Sequence, residues 1–189
     1  MNSLLVITGG MGAGKTTVLG EASDILARAK IAHAALDVDR FGDGFLPSKG
    51  AIEPAMYNNL HCVCENYSKL GVQQFVMARA IESREQLELC RSAASASVVI
   101  VCRLVASKKT LEQRVERRET GIERQRYIDR AVKLNGILDE AKLEDITVTN
   151  DSGSLTEVAG EMLVKAGWIS SRALTGVLLG KSSSGPAVH

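Results

Sequence analysis

The sequence predicts an α/β fold, a three-layer arrangement in which a five-stranded parallel sheet is covered by helices on both faces. Three observations predict it. Short apolar runs alternate with amphipathic helical stretches from the first residues to about 168. The run 98–104 is apolar except at Arg103, as expected of a strand buried on both faces. The first apolar run passes directly into the glycine-rich stretch 9–17, Gly-Gly-Met-Gly-Ala-Gly-Lys-Thr-Thr, which in turn opens a helical pattern.

Taken in order, residues 4–8 form the first strand. Val18, Leu19, Ala22, Ile25, Leu26 and Ala29 then recur at helical spacing as one apolar face. A short second strand, 34–38, ends in Asp37-Val38-Asp39, and a loop rich in Gly, Asp and Pro follows from about 40 to 52. Pro54 suits the first turn of a helix. The stripe of that helix is Met56, Leu60, Val63, Cys64 and Tyr67, and Gly71 closes it. Residues 75–78 are the third strand, and Ser83 with Gln86 predicts a capping box for the next helix. The buried run 98–104 is the fourth strand. Two helices follow it, split by Glu119-Thr120-Gly121. Residues 146–149 are the fifth strand. The last helix opens at the box Ser154…Glu157 and carries Leu155, Val158, Ala159, Met162, Leu163 and Ala166. Beyond Trp168 the periodicity fades, and 181–189 reads as a disordered tail.

This pattern implies one domain over 1–170. It holds an acceptor-binding insert at about 40–72 and a lid at about 114–130, and a C-terminal extension follows over 171–189. The chain has 189 residues, 45% apolar and 24% charged, with a net charge of +1, which gives no reason to expect broad nucleic-acid or membrane binding. No apolar stretch approaches the roughly 20 residues that span a bilayer. The first residues lack a basic segment followed by a long apolar one, so a cytoplasmic location is expected. Cys62 and Cys64 are spaced C-x-C with no second pair. The four cysteines therefore read as small side chains in a reducing compartment rather than a zinc site.

Gly9, Gly14, Lys15 and Thr16 fill the phosphate-loop pattern G-x-x-x-x-G-K-[ST]. Glycines let backbone N–H groups turn inward as an anion nest, and the helix that opens next adds its own free N–H groups. Residues Gly10, Met11, Gly12, Ala13, Gly14, Lys15, Thr16 and Thr17 are thus expected to bind a nucleoside triphosphate. Lys15 would reach the β- and γ-phosphates, and the Thr16 hydroxyl would be a ligand of Mg²⁺.

In parallel sheets ligands bind at the carboxyl ends of the strands. Asp37 and Asp39, two apart at the end of an extended segment, share a face there. One carboxylate can accept a proton from an acceptor hydroxyl and one can hold Mg²⁺, but the spacing does not assign the two roles. Arg114, Arg117, Arg118, Arg124, Arg126 and Arg130 crowd into 17 positions among interleaved acids, largely as an ion-paired surface. Arg114 and Arg118, four apart and just before the helix break, suit a lid over the triphosphate, and Arg118 would neutralise charge during transfer. Arg40, Asn59, Asn66, Tyr67 and Arg79 are the polar candidates for an acceptor pocket, with most of the Tyr67 ring assigned to core packing. The expected acceptor-side set is Asp37, Arg40, Tyr67 and Arg79. No aspartate closes an apolar strand after Met77 or Val101, and the Asp37/Asp39 pair is the candidate replacement.

These segments resemble the small P-loop kinases of metabolites: gluconate, shikimate and adenylylsulfate kinases and chloramphenicol phosphotransferase. The phosphate loop matches, Leu36-Asp37-Val38-Asp39 resembles the L-D-G-D of adenylylsulfate kinases, 111–118 resembles the gluconate kinase lid helix, and Thr149-Asn150-Asp151 resembles the strand end beside the adenine. The resemblance implies a P-loop NTPase fold with sheet order 2-3-1-4-5. It also implies an Asp37 or Asp39 carboxylate facing the acceptor, and Arg114 and Arg118 on ATP or its transferred phosphate. Val38 stands where adenylylsulfate kinases have glycine, and 42–66 matches none of their substrate pockets. The expected activity is ATP- and Mg²⁺-dependent phosphorylation of a small-molecule hydroxyl, with no nucleic-acid or membrane partner. A nucleoside or nucleotide kinase is the alternative within the same chemistry, and a nucleotide-gated binding protein the alternative outside it.

Overall fold

Leu4, Leu5, Val6 and Ile7 are completely shielded from solvent, because their strand has a partner on each side and helices on each face. The computed structural model describes residues 1–44, 46–118 and 124–180, and the side chains of these except at 49, 115, 118, 124–128 and 132. The central strand β1 (Asn2–Gly9) runs parallel to β3 (Gln74–Ala78) on one side and β4 (Ala96–Val105) on the other. β2 (Ala34–Asp37) lies outside β3, and β5 (Ile146–Thr149) lies outside β4. The order is therefore β2-β3-β1-β4-β5, all parallel, as the resemblance implies.

Side chains of β1 alternate between two cores, as strand geometry requires. Leu5 and Ile7 pack under α1 (Lys15–Arg28) and α6 (Leu155–Lys165), with Val18, Leu19, Ile25, Met162 and Leu163. Leu4 and Val6 pack under α2 (Ile52–Lys69) and α3 (Arg84–Ala93), with Met56, Leu60, Phe75, Met77 and Cys90. The α4 helix (Lys108–Arg118) follows β4, and α5 (Arg124–Ala141) leads towards β5. Arg103 projects from β4 on the same side as Val101 and meets Asp139 of α5, so α5 covers the α2–α3 face.

Several local expectations differ from the structure. In the first half of β4 only Ala96 is buried, and Val98 is 54% exposed. The cause is the shortness of β5, which pairs only with Cys102–Val105 and leaves the first half of β4 at an edge. β2 ends at Asp37, and a 3-10 turn occupies Val38–Gly42, so Asp39 does not continue the strand alternation. Ser83 caps α3 by accepting from Gln86 N, but the Gln86 side chain accepts from Glu82 N rather than from the cap residue. At α6, by contrast, both halves of the Ser154/Glu157 box form. A further helix, α7 (Ser171–Leu178), follows α6, whereas the sequence reading ends with α6. None of its residues is fully buried, and it packs on the α1/α6 core through the partly buried Leu174 and Val177. The proposed helix break at 119–121 and the tail 181–189 lie outside the described residues.

Cys64, Cys90 and Cys102 are buried, and burial pushes their thiols up to about 12, 11 and 12. Only the exposed Cys62 should react with a thiol-specific disulfide reagent in the folded protein, and all four in denaturant. Unfolded thiols ionise first, so their contribution to stability is complete below about pH 9 and is lost as pH rises towards 11–12. Denaturation midpoints measured between pH 8 and pH 11 should fall accordingly.

Candidate active site

The loop between β1 and α1 is held by groups from distant parts of the chain. Internally, Ala13 N donates to Gly10 O at 3.2 Å and Val18 N to Gly14 O at 2.9 Å. Externally, Arg114 Nη1 donates to Gly12 O at 3.3 Å, and the buried Asn150 Nδ2 donates to Ala13 O at 2.8 Å. Gly14, the residue before α1, has φ +92°, and a Cβ there would fall 2.5 Å from Asn150 Nδ2. Both backbone conformation and space therefore demand glycine at this position. A Cβ on Gly10 would run into the Asn135 amide of α5. Asp151 accepts from Ser107 N at 2.7 Å, which ties the loop after β5 to the loop after β4. That hydrogen bond is the main reason its carboxyl lies below the usual range.

A cleft of about 500 Å³ opens above this loop. Met11, Gly12, Gly14, Lys15, Thr16 and Thr17 form one wall, Asp37, Asp39, Arg40 and Asp43 the other, and Arg114 stands with them. Lys15 Nζ folds back onto Gly9 O at 3.0 Å and Gly10 O at 3.2 Å. Thr16 Oγ1 donates to Asp37 Oδ2 at 2.9 Å, so a hydroxyl and a carboxylate converge at the mouth of the loop. These are the hard oxygen donors that Mg²⁺ takes. The carboxylate beside the loop threonine thus comes from the end of β2, while β3 ends in Ala78 and β4 in Val105.

The acceptor-side candidates divide. Arg79, just past β3 and only 13% exposed in its side chain, donates to Asp39 Oδ1 at 3.1 Å and to Glu53 Oε1 at 3.3 Å. Its guanidinium also meets Met56 Sδ at 2.8 Å and lies 5.3 Å from the centre of the Tyr57 ring, a cation–π contact. Its buried Nε has no hydrogen-bond partner. Burial, above all, pushes the Tyr57 hydroxyl up. Arg40 pairs with Asp43 at 3.3 Å on the surface rim. Tyr67 is not brought to the site. It follows Glu53 by 14 residues, about 21 Å along the α2 axis. Its neighbour Ser68 meets Asn2 at the opposite end of the sheet, and the ring is 40% exposed rather than packed in the core. Arg118 ends α4, and its side chain lies outside the described residues, as do those of Arg124 and Arg126.

A second hollow, of about 420 Å³, lies across the loop between α4 and α5, where Gly10 and Ala13 form part of its wall. Its cations are matched: Arg103 meets Asp139 at 2.6 Å and Glu144 at 3.6 Å, and Lys108 meets Glu112 at 3.8 Å. Among the described residues lining this hollow, each cation thus has a carboxylate partner. Sequence reasoning had missed Glu53, Glu82 and Asn135. Glu53 carried a weak signal as an acid in the first turn of a helix, whereas a polar residue inside α5 carried none.

No family model and no curated protein matches the sequence. Solved structures do. A sugar kinase from Janibacter sp. HTCC2649 superposes with a TM-score of 0.60 at 14% identity, covering 92% of this chain and 98% of its own. The shikimate kinase of Acinetobacter baumannii, solved with shikimate, gives 0.57 at 18% identity, with 90% and 96% covered. The shikimate kinase of Bacteroides thetaiotaomicron gives 0.62 at 14%, with 87% and 98% covered. At these identities the likeness shows the fold. Among the described residues, no helix is long and apolar enough to cross a membrane.

Replacing Asn150 by Ala should leave the Ala13 carbonyl unpaired and loosen the loop. We expect stability, read from a chemical denaturation curve, to fall by about 1–3 kcal/mol, with an unchanged circular dichroism spectrum. The chain has the three-layer fold of the shikimate kinase-like P-loop proteins.

Proposed function

We propose that this chain is an ATP- and Mg²⁺-dependent phosphotransferase that moves the γ-phosphate to a hydroxyl group of a small molecule. The observation that carries the proposal is the 2.9 Å contact between Thr16 of the phosphate loop and Asp37 of the carboxylate pair. It joins the two halves that phosphoryl transfer needs, an anion cradle and acceptor-side acids, in one cleft. The kinase fold of the solved neighbours supports the same reading.

Loop N–H groups and Lys15 would bind the triphosphate, with the Lys15 ammonium exchanging the Gly9 and Gly10 carbonyls for phosphate oxygens. Thr16 and Asp37 would hold Mg²⁺, which neutralises charge on the phosphates. Arg114 lies against the loop and would add positive charge there, and Arg118 is the second candidate from α4. Asp39 is the carboxylate that faces the acceptor. It would accept the hydroxyl proton as the oxygen bonds to the γ-phosphorus and the β–γ bridging oxygen departs with ADP. Arg79 positions Asp39 through the 3.1 Å ion pair, and Arg40 stands at the cleft rim.

The reaction is tested by ADP release from Mg-ATP with and without a pooled metabolite set. Lys15→Ala should abolish the acceptor-dependent part, and no such part with the native chain despite ATP binding would favour a binding protein. Replacing both Asp37 and Asp39 by Asn should lower kcat by about 100-fold or more. A rate close to the native value would remove the hydroxyl-base role and return the nucleotide-kinase alternative.

A further inference from the structure

Resting on the kinase reading above, we infer that the acceptor carries a positive charge: an amino-bearing hydroxyl compound rather than a hydroxy acid or a phosphorylated sugar. The inference comes from an ionic chain that starts at Asp39 on the cleft wall and continues behind it. From the mouth inward, Asp39 pairs with Arg79, Arg79 with Glu53, and Glu53 accepts from Gln86 Nε2 at 3.2 Å. Gln86 Oε1 in turn accepts from the backbone N–H of Glu82, whose carboxylate pairs with Arg130 of α5. Arg40 and Asp43 pair at the rim.

Arg40, Arg79 and Arg130 each already have a carboxylate, and Arg79 has two. With Asp37 assigned to the metal, Asp39, Asp43, Glu53 and Glu82 outnumber these three guanidiniums by one among the described side chains. A carboxylate or phosphate on the acceptor would therefore have to displace an existing carboxylate from Arg79, Arg40 or Arg130 and face the others at short range. An ammonium gains partners instead. Glu53 and Asp39 remain 53% and 64% exposed in their side chains, so their free oxygen lone pairs are open to it. The triphosphate is served separately by Lys15 and Arg114 at the other end of the cleft, so acceptor and donor ends differ in sign.

Three matched acceptor sets test this: amino sugars and amino alcohols, uncharged sugars and polyols, and sugar acids with sugar phosphates. Each is assayed for Lys15-dependent ADP release, and in parallel for thermal stabilisation of the native chain loaded with Mg²⁺ and a non-hydrolysable ATP analogue. Transfer confined to the amino set is expected. Glu53→Gln should then raise the acceptor KM about tenfold while kcat stays within about threefold of native, and added salt should raise KM further. Transfer to the uncharged or acidic sets in preference to the amino set would overturn the charge inference and leave the kinase standing. Stabilisation by the amino set alone, without transfer in any set, would uphold the charge inference and overturn the kinase. Neither transfer nor stabilisation in any set would overturn both.

Discussion

Everything at the carboxyl end of the sheet depends on β1 being hydrogen-bonded along both edges. Ser3–Ile7 pair with β3, and the strand pairs with β4 through to Gly9 opposite Leu104. A strand fixed on both edges and covered on both faces has no freedom to slide, because a one-residue slip would turn Leu5 and Ile7 into the wrong core. The glycine loop therefore starts from a rigid point. Its other restraints, from Arg114 and Asn150, act on a peptide whose entry is already fixed. Preorganisation of this kind is what lets backbone N–H groups act on an anion without first being ordered.

The cleft above the loop is divided electrically. Lys15 and Arg114 stand by the loop, the carboxylates of Asp37, Asp39 and Asp43 line the cleft with Arg40 among them, and Arg79 pairs with Asp39 and with Glu53 of α2. Arg79 carries a desolvation cost that its two ion pairs and its cation–π contact with Tyr57 offset. Two carboxylates against one guanidinium leave this cluster acidic. The position of Arg79 is thus a consequence of charge balance as much as of its place after β3.

Most of the fold was legible because the relevant signals are local and periodic. β5 and the Ser154 cap of α6 follow from alternation and a four-residue box. The phosphate loop is legible for a different reason, since its chemistry fixes residue types at fixed offsets. Asp37 and Asp39 were found as a pair, although the 3-10 turn, and not strand alternation, brings the second into the cleft. Other features were not legible. The exposure of Val98 depends on the length of a strand some fifty residues later. Tyr67 continues a helical stripe, but periodicity reports the face of a helix and not which end of it reaches the site. The partners of Arg79 come from two separate elements, the 3-10 turn after β2 and α2, a long-range arrangement with no imprint on neighbouring residues.

The hydrogen bond from Asn150 to Ala13 spans 137 positions, and that from Arg114 to Gly12 spans 102. During synthesis the glycine loop therefore leaves the ribosome long before its restraints exist. The nascent chain can form α1 early, but β1 must wait for β3 and then β4 to close its edges. The finished loop must wait for the end of β5 to emerge. Such non-local closure makes the domain a slow folder by topology. It also makes the restrained glycine loop one of the last features the growing chain acquires, so a chain interrupted before residue 150 carries the complete motif without the fully restrained loop.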